Sequence, residues 1–224
     1  APGNQGGESE SILGEWMQSC GARDRTQLST KVGMYMGASG QGLSAAHIER
    51  AVEASLTRLR TDRIDVYFSH RFYDGVPQAE TLGAFQALIK AGKVRAIGSS
   101  NYSAARLKAA LDLSVAQGLP SFESHQPVYN LMDRGLEDDL TPLCKAEEVG
   151  IITYSSLASG FLTGKYRTSA DLGKSVRGER SVAKHMTDKG MAVLAAVDAA
   201  AKKHGVSAAA IALAWQIARP GITA

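Results

Sequence analysis

The run RIDVYFSHRFYD, Arg63 to Asp74, carries β-branched and aromatic residues at Ile64, Val66, Tyr67 and Phe68 and then stops on Ser69, His70 and Arg71. Such residues suit a strand covered on both faces, as in a parallel sheet flanked by helices. The polar stop marks where that strand leaves the core with groups able to donate hydrogen bonds or protons. Four further runs have the same character: TQLSTKVG, VRAIGSSN, SFESHQPVYN and GIITYSSL. Their last polar residues are Lys31, His70, Asn101, Gln126 and Tyr154, spaced 39, 31, 25 and 28 residues apart, each enough for a helix and a return strand.

The intervening segments read as helices. Leu43-Ser44…Ile48, Tyr102-Ser103…Leu107 and Val206-Ser207…Ile211 each set a Ser N-cap between an apolar residue and its partner one turn on. After Ser44, Ile48, Val52, Leu56 and Leu59 fall on one stripe, while Arg50, Glu53 and Arg60 fall elsewhere. A second helix, AETLGAFQALIKAGK, turns Leu82, Phe85, Leu88 and Ile89 inward and stops at Gly92. Alternating strands and helices predict parallel strands joined by right-handed crossovers, giving an open doubly wound sheet or a closed (β/α)8 barrel.

The barrel is favoured, because all five polar groups sit at strand carboxyl ends, where a barrel gathers its active site from many strands. A dinucleotide fold would concentrate its signature in one Gly-rich turn after the first strand. The run GASGQG, Gly37 to Gly42, follows Lys31 by several residues and precedes an N-cap, so it reads as a loop. We expect an α/β fold, a (β/α)8 TIM barrel incomplete in these residues. It is expected to be one domain over residues 1–224, with further material before Ala1 and after Ala224, since five strands cannot close an eight-stranded barrel.

Composition excludes several classes. The 224 residues are 44% hydrophobic and 21% charged, enough for a large core. With 25 Lys and Arg against 22 Asp and Glu, the +3 excess is too small for a nucleic-acid surface. The Ala-rich segment Met191 to Ala218 is broken by Asp198, Lys202, Lys203 and His204, so no membrane span is expected. Cys20 and Cys144 lie far apart and form no metal motif, which suits a cytoplasmic protein with two free thiols and no metal site.

The segments GESESILG, STKVG, GLSAAHIERAVEASLTRLRTDRIDVYFSHR, ETLGAFQALIKAGKVRAIGSSNYS, HQPVYNL and YSSLASGFLTGKYR, in that order, resemble those of the aldo-keto reductases. They look closest to the bacterial members related to potassium-channel β subunits. The resemblance implies a (β/α)8 barrel that binds NADP(H) and reduces small-molecule aldehydes or ketones without metal. It also implies a proton-transfer tetrad of Asp, Tyr, Lys and His. Lys31 in STKVG matches the Lys and His70 in YFSHR the His, while the Asp and Tyr are expected just ahead of Ala1. Taken singly, Lys31 would read as a solvated strand-end lysine and His70 as a structural histidine. His47 and His204 read as surface or packing residues, and His125 as facing away from Gln126.

By the same resemblance, Ser100, Asn101 and Gln126 match residues that hold the nicotinamide carboxamide, and Tyr154 the aromatic that stacks on its ring. Ser155, Leu157, Ala158, Ser159 and Lys165 match the loop over the pyrophosphate. Ser156 departs from the Pro common in relatives, which implies a slightly less rigid loop. The polar segment Arg167 to His185 is expected to be mobile and able to close over a cofactor. The rival function is a nucleotide-binding regulatory or redox-sensing subunit with little turnover. Retention of His70 speaks against it, since the related channel subunits carry Asn there. No nucleic-acid or membrane partner is expected, and association into an oligomer is left open.

Overall fold

The computed structural model describes residues 6–37 and 40–224, so Ala38 and Ser39 of the glycine-rich loop lie outside the described residues. The chain divides into two compact units, residues 1–125 and 126–224.

In the first unit, α1 (Glu8–Cys20) precedes β1 (Ser29–Val32), and three crossovers follow: α2 (Ala45–Leu59) to β2 (Ile64–Ser69), α3 (Gln78–Lys90) to β3 (Val94–Ser100), and α4 (Ala104–Gln117) to β4 (Phe122–Gln126). β1 pairs parallel to β2 and β2 to β3, with Lys31 opposite Phe68 and Phe68 opposite Gly98. The stripe expected on α2 is buried, with Ile48, Val52, Leu56 and Leu59 each at most 8% exposed. An aromatic chain knits strands to helices, from Tyr67 to Phe85, Phe85 to Phe122 and Phe122 to Tyr102, with edge-on centroid separations of 5.9, 6.5 and 5.7 Å.

All three expected Ser residues are N-caps, and those of Ser103 and Ser207 accept from the N–H groups of Arg106 and Ala210. Ser44 differs, for its side chain makes no cap bond. The Glu80 carboxylate, reaching across from α3, instead accepts from the Ala45 N–H at 2.9 Å. A carboxylate also complements the positive end of the helix dipole. At the opposite end of the strands, buried Asp65 accepts from the Leu28 N–H at 2.9 Å and from Arg95 at 2.8 Å, and pairs with Arg23 at 3.0 Å. Burial alone would raise its pKa, but the Leu28 N–H and the two guanidinium groups outweigh that and hold the carboxyl below its ordinary value.

The second unit holds α5 (Leu140–Ala146), a two-residue β5 (Gly150–Ile151), α6 (Asp188–His204) and α7 (Ala208–Ile217). The run GIITYSSL is thus a strand only at its start, with Tyr154 forming a separate bridge to Val128. Just after Pro220 and Gly221, Ile222 forms an isolated parallel bridge to Ile151. The segment Arg167 to His185, expected as a mobile excursion, is folded into short helical turns. A Thr168/Asp171 capping box starts it, while Val182 and His185 anchor it in a core built on Phe161, Leu162, Tyr166 and Leu194.

Gly98 is fixed by its neighbours rather than by its backbone angles. A Cβ there would lie 2.3 Å from the Phe68 ring and 2.8 Å from Ser124 Oγ. Gly98→Ala is therefore expected to cost about 1–3 kcal/mol through overpacking, read as a lower urea midpoint at unchanged slope. An unchanged midpoint would contradict this packing.

Candidate functional site

Two cavities, one in each unit, carry Lys31, His70, Ser155, Leu157, Ser159 and Lys165, while Ser100, Asn101, Gln126, Tyr154 and Ala158 line neither. The first, about 560 Å³, is lined by Lys31, Val32, Met34 and His70 together with residues of α1 and α2. β1 delivers Lys31 directly. His70 follows the last residue of β2, and its N–H continues the ladder by donating to the Val32 carbonyl at 2.9 Å. Ser69, His70 and Arg71, where the strand leaves the core, take three different places. Ser69 turns into the core and bonds the Tyr102 hydroxyl at 2.8 Å, His70 faces the cavity, and Arg71 is exposed.

Electrostatics match this placement. Burial pushes the Lys31 ammonium below its usual pKa. Burial, then the nearby charges of Lys31 and Arg71, holds the His70 imidazole below its ordinary value. That shift favours the neutral imidazole, which can donate one hydrogen bond. Behind β1, Glu10 accepts from Thr30 at 2.6 Å and from Arg58 at 2.6 Å, tying α1 and α2 to the strand next to Lys31. His47 is buried on α2, a packing position that also borders this cavity.

Ser100 ends β3 almost fully buried, and Asn101 follows in the left-handed region at φ 58°. The Asn101 carboxamide donates to the Ser100 hydroxyl at 3.0 Å and to the His70 carbonyl at 2.9 Å, so it fixes the backbone that presents His70. His125 lies fully buried with Nδ1 2.7 Å from Ser99 Oγ, and burial pushes it down to about 4. Its neighbour Gln126 ends β4 partly exposed, in keeping with the expectation that the two face opposite ways.

In the second unit, Tyr154 is 38% exposed, its N–H donating to the Pro127 carbonyl at 3.0 Å. Ser155, Ala158 and Ser159 all have positive φ. Left-handed turns are one ingredient of backbone anion sites, although here the Ala158 and Gly160 N–H groups bond within the loop, to the Ser155 and Leu157 carbonyls. A cavity of about 530 Å³ is lined by Ser155, Leu157, Ser159 and Lys165. Ala158 does not line it, for its side chain is in the core and its N–H donates to the Ser155 carbonyl at 2.8 Å. Ser175, Val176 and Arg177 do line it, and the sequence reading passed over them because they sit in the segment taken as mobile. Among the described residues no group of three or more His, Cys, Asp or Glu is placed to hold a metal, and no helix is long and apolar enough to cross a membrane.

A family model described as the aldo/keto reductase family matches residues 5–224. The chain belongs to that family, and its fold class is the family's α/β (β/α)8 barrel, of which the described residues carry five strands. It is 32% identical to an uncharacterized oxidoreductase, YrpG, of Bacillus subtilis (strain 168), over 99% of this chain and 69% of that protein. It is 31% identical to the L-glyceraldehyde 3-phosphate reductase of Escherichia coli (strain K12), over 90% of this chain and 60% of the enzyme. It is also 31% identical to a probable voltage-gated potassium channel subunit beta of Oryza sativa subsp. japonica, over 97% of this chain and 68% of that protein. The chain thus spans 60–69% of the length of these three relatives.

The Asn101 tie is open to a direct test. Asn101→Ala loses the bond to the His70 carbonyl and places a Cβ-bearing residue less suited to positive φ, at an expected cost of about 1–2 kcal/mol in urea unfolding. Asn101→Gly loses the same bond without the strain and is expected to cost less. Equal costs would contradict the strained-turn account.

Proposed function

We propose that this chain belongs to an enzyme that reduces small-molecule aldehydes or ketones to alcohols with NADPH, working in the cytoplasm. The observation that carries this reading is the convergence of Lys31 and His70, from adjacent parallel strands, on one cavity. A reductase has to stabilise negative charge developing on a carbonyl oxygen, and positioned donors in a partly desolvated site do this best.

The residues present fit a phosphate-bearing dinucleotide. Ser155, Ser159, Lys165 and Arg177 line a cavity whose backbone turns left-handed at Ser155 and Ser159, a donor set suited to an anion. Leu157 and Ala158 complete that loop. Ser100, Asn101 and Gln126 offer the donors and acceptors a carboxamide needs, and Tyr154 offers a partly exposed ring for stacking. When bound, NADPH supplies the hydride that adds to the carbonyl carbon.

The chain's own residues handle the proton side. His70, its neutral form favoured for the reasons given above, donates a hydrogen bond to the carbonyl oxygen, orienting and polarising it. Lys31 lowers the pKa of the acid, which the resemblance assigns to a Tyr, with an Asp, ahead of Ala1. A free phenol has a pKa of about 10, and a neighbouring ammonium favours the phenolate, so proton donation becomes easier.

In the intact protein, Lys31→Met and His70→Ala are each expected to lower kcat for an activated aromatic aldehyde by on the order of 100-fold or more. NADPH affinity, read by fluorescence quenching, should stay within a few-fold. Tight NADPH binding with no turnover across a broad carbonyl panel would favour the regulatory alternative. Failure of the wild type to bind NADPH would sink both.

A further inference from the structure

The phosphate-loop cavity of the second unit is walled on one side by Ser175, Val176 and Arg177, which arrive from a different stretch of chain than Ser155 to Lys165. What holds that wall is visible in the hydrogen bonds. The Tyr166 ring is fully buried in the core, with its hydroxyl 2.7 Å from Ser175 Oγ. The same Ser175 oxygen accepts from the Arg177 N–H at 3.2 Å, and the Ser175 carbonyl accepts from the Gly178 N–H at 2.9 Å. Gly178 closes the far side, because a Cβ there would fall 1.7 Å from the Leu172 carbonyl oxygen. Arg177 is thus held through its backbone between a hydroxyl pair and a steric stop, while its side chain is exposed.

Tyr166 also touches the other wall. Lys165 Nζ lies 5.0 Å from its ring centroid, and Lys174 reaches back to the Lys165 carbonyl at 3.1 Å. The Ser175 hydrogen bond, with Lys165 and Arg177 near, sets the Tyr166 phenol below its ordinary pKa, in keeping with cations on both sides of it.

We infer that the Tyr166–Ser175 hydrogen bond is a latch that holds Arg177 against the phosphate loop, making Tyr166 and Ser175 positioning residues for the anionic part of the bound ligand. This rests on the cofactor reading above and adds to it a device in the segment beyond the loop. Breaking the latch lets the strand of chain from Ser175 to Arg177 drift from the cavity while the buried Tyr166 ring keeps its packing. The loss falls on anion affinity and not on the core.

The test uses the intact protein and two probes, NADPH and inorganic pyrophosphate, with Tyr166→Phe, Ser175→Ala, Arg177→Met and the Tyr166→Phe/Arg177→Met pair. Tyr166→Phe and Ser175→Ala should each weaken both probes by about three- to tenfold, the range of one net hydrogen bond. Once Arg177 is Met, adding Tyr166→Phe should weaken binding no further, because a latch acts through the residue it positions. Equal factors for Tyr166→Phe with and without Arg177 would show general loosening and overturn the latch, as would no effect of Tyr166→Phe. A wild type that binds pyrophosphate but not NADPH, with the same non-additivity, would support the latch and sink the cofactor reading. A wild type that binds neither would overturn both.

Discussion

Parallel pairing in register is the constraint on which the first unit depends. Lys31 sits opposite Phe68, and Phe68 opposite Gly98, so one row of residues runs across three strands. The glycine makes room for the Phe68 ring, and the Lys31 ammonium stands 5.8 Å from that ring's centroid. A one-residue slip would exchange the faces of Lys31 and Thr30, since side chains alternate along a strand. The row beyond is fixed by the same ladder, through the His70 N–H on the Val32 carbonyl and the Asn101 carboxamide on the His70 carbonyl. A lysine and a histidine at neighbouring strand ends then follow from backbone geometry, and the depressed His70 pKa follows from burial first and then from that proximity.

The second unit reaches its chemistry by another route. Its candidate residues come from left-handed turns rather than from strand ends, with Ser155, Ala158 and Ser159 at positive φ within five residues. Such conformations cost energy for residues bearing a Cβ and persist where surrounding packing holds them. Here Ala158, Phe161 and Leu162 pack into one core with Tyr166, while Asn130 donates to the Ser155 carbonyl at 3.0 Å. Apolar anchoring beneath and polar backbone above give a rigid cradle on a short segment.

Much of this was legible in the sequence, and the gaps have physical causes. Local signals served well: the three Ser caps, the apolar stripe of α2 and the strand ends at Ser69, Ser100 and Gln126 are all set by residues within a turn or two. Ser44 shows the limit, because its cap bond is supplied by Glu80, 36 residues away in sequence but adjacent in space. GIITYSSL looked like a full strand from its β-branched residues, yet only Gly150 and Ile151 form one, Tyr154 makes an isolated bridge to Val128, and the chain turns left-handed at Ser155. Arg177 was hidden for a related reason. The polarity of Arg167 to His185 suggested an unanchored loop, and the few residues that anchor it, Tyr166 and Val182, carry no periodic pattern.

The central claim, that strand register sets Lys31 and His70 on one cavity where the Lys31 charge adds to burial in depressing the His70 pKa, can be read without any turnover. An NMR titration of the His70 ring should give a midpoint below the ordinary imidazole value of about 6.5, moving upward when Lys31 is replaced by Met. A His70 midpoint at or above the ordinary value, indifferent to the Lys31 substitution, would contradict the account.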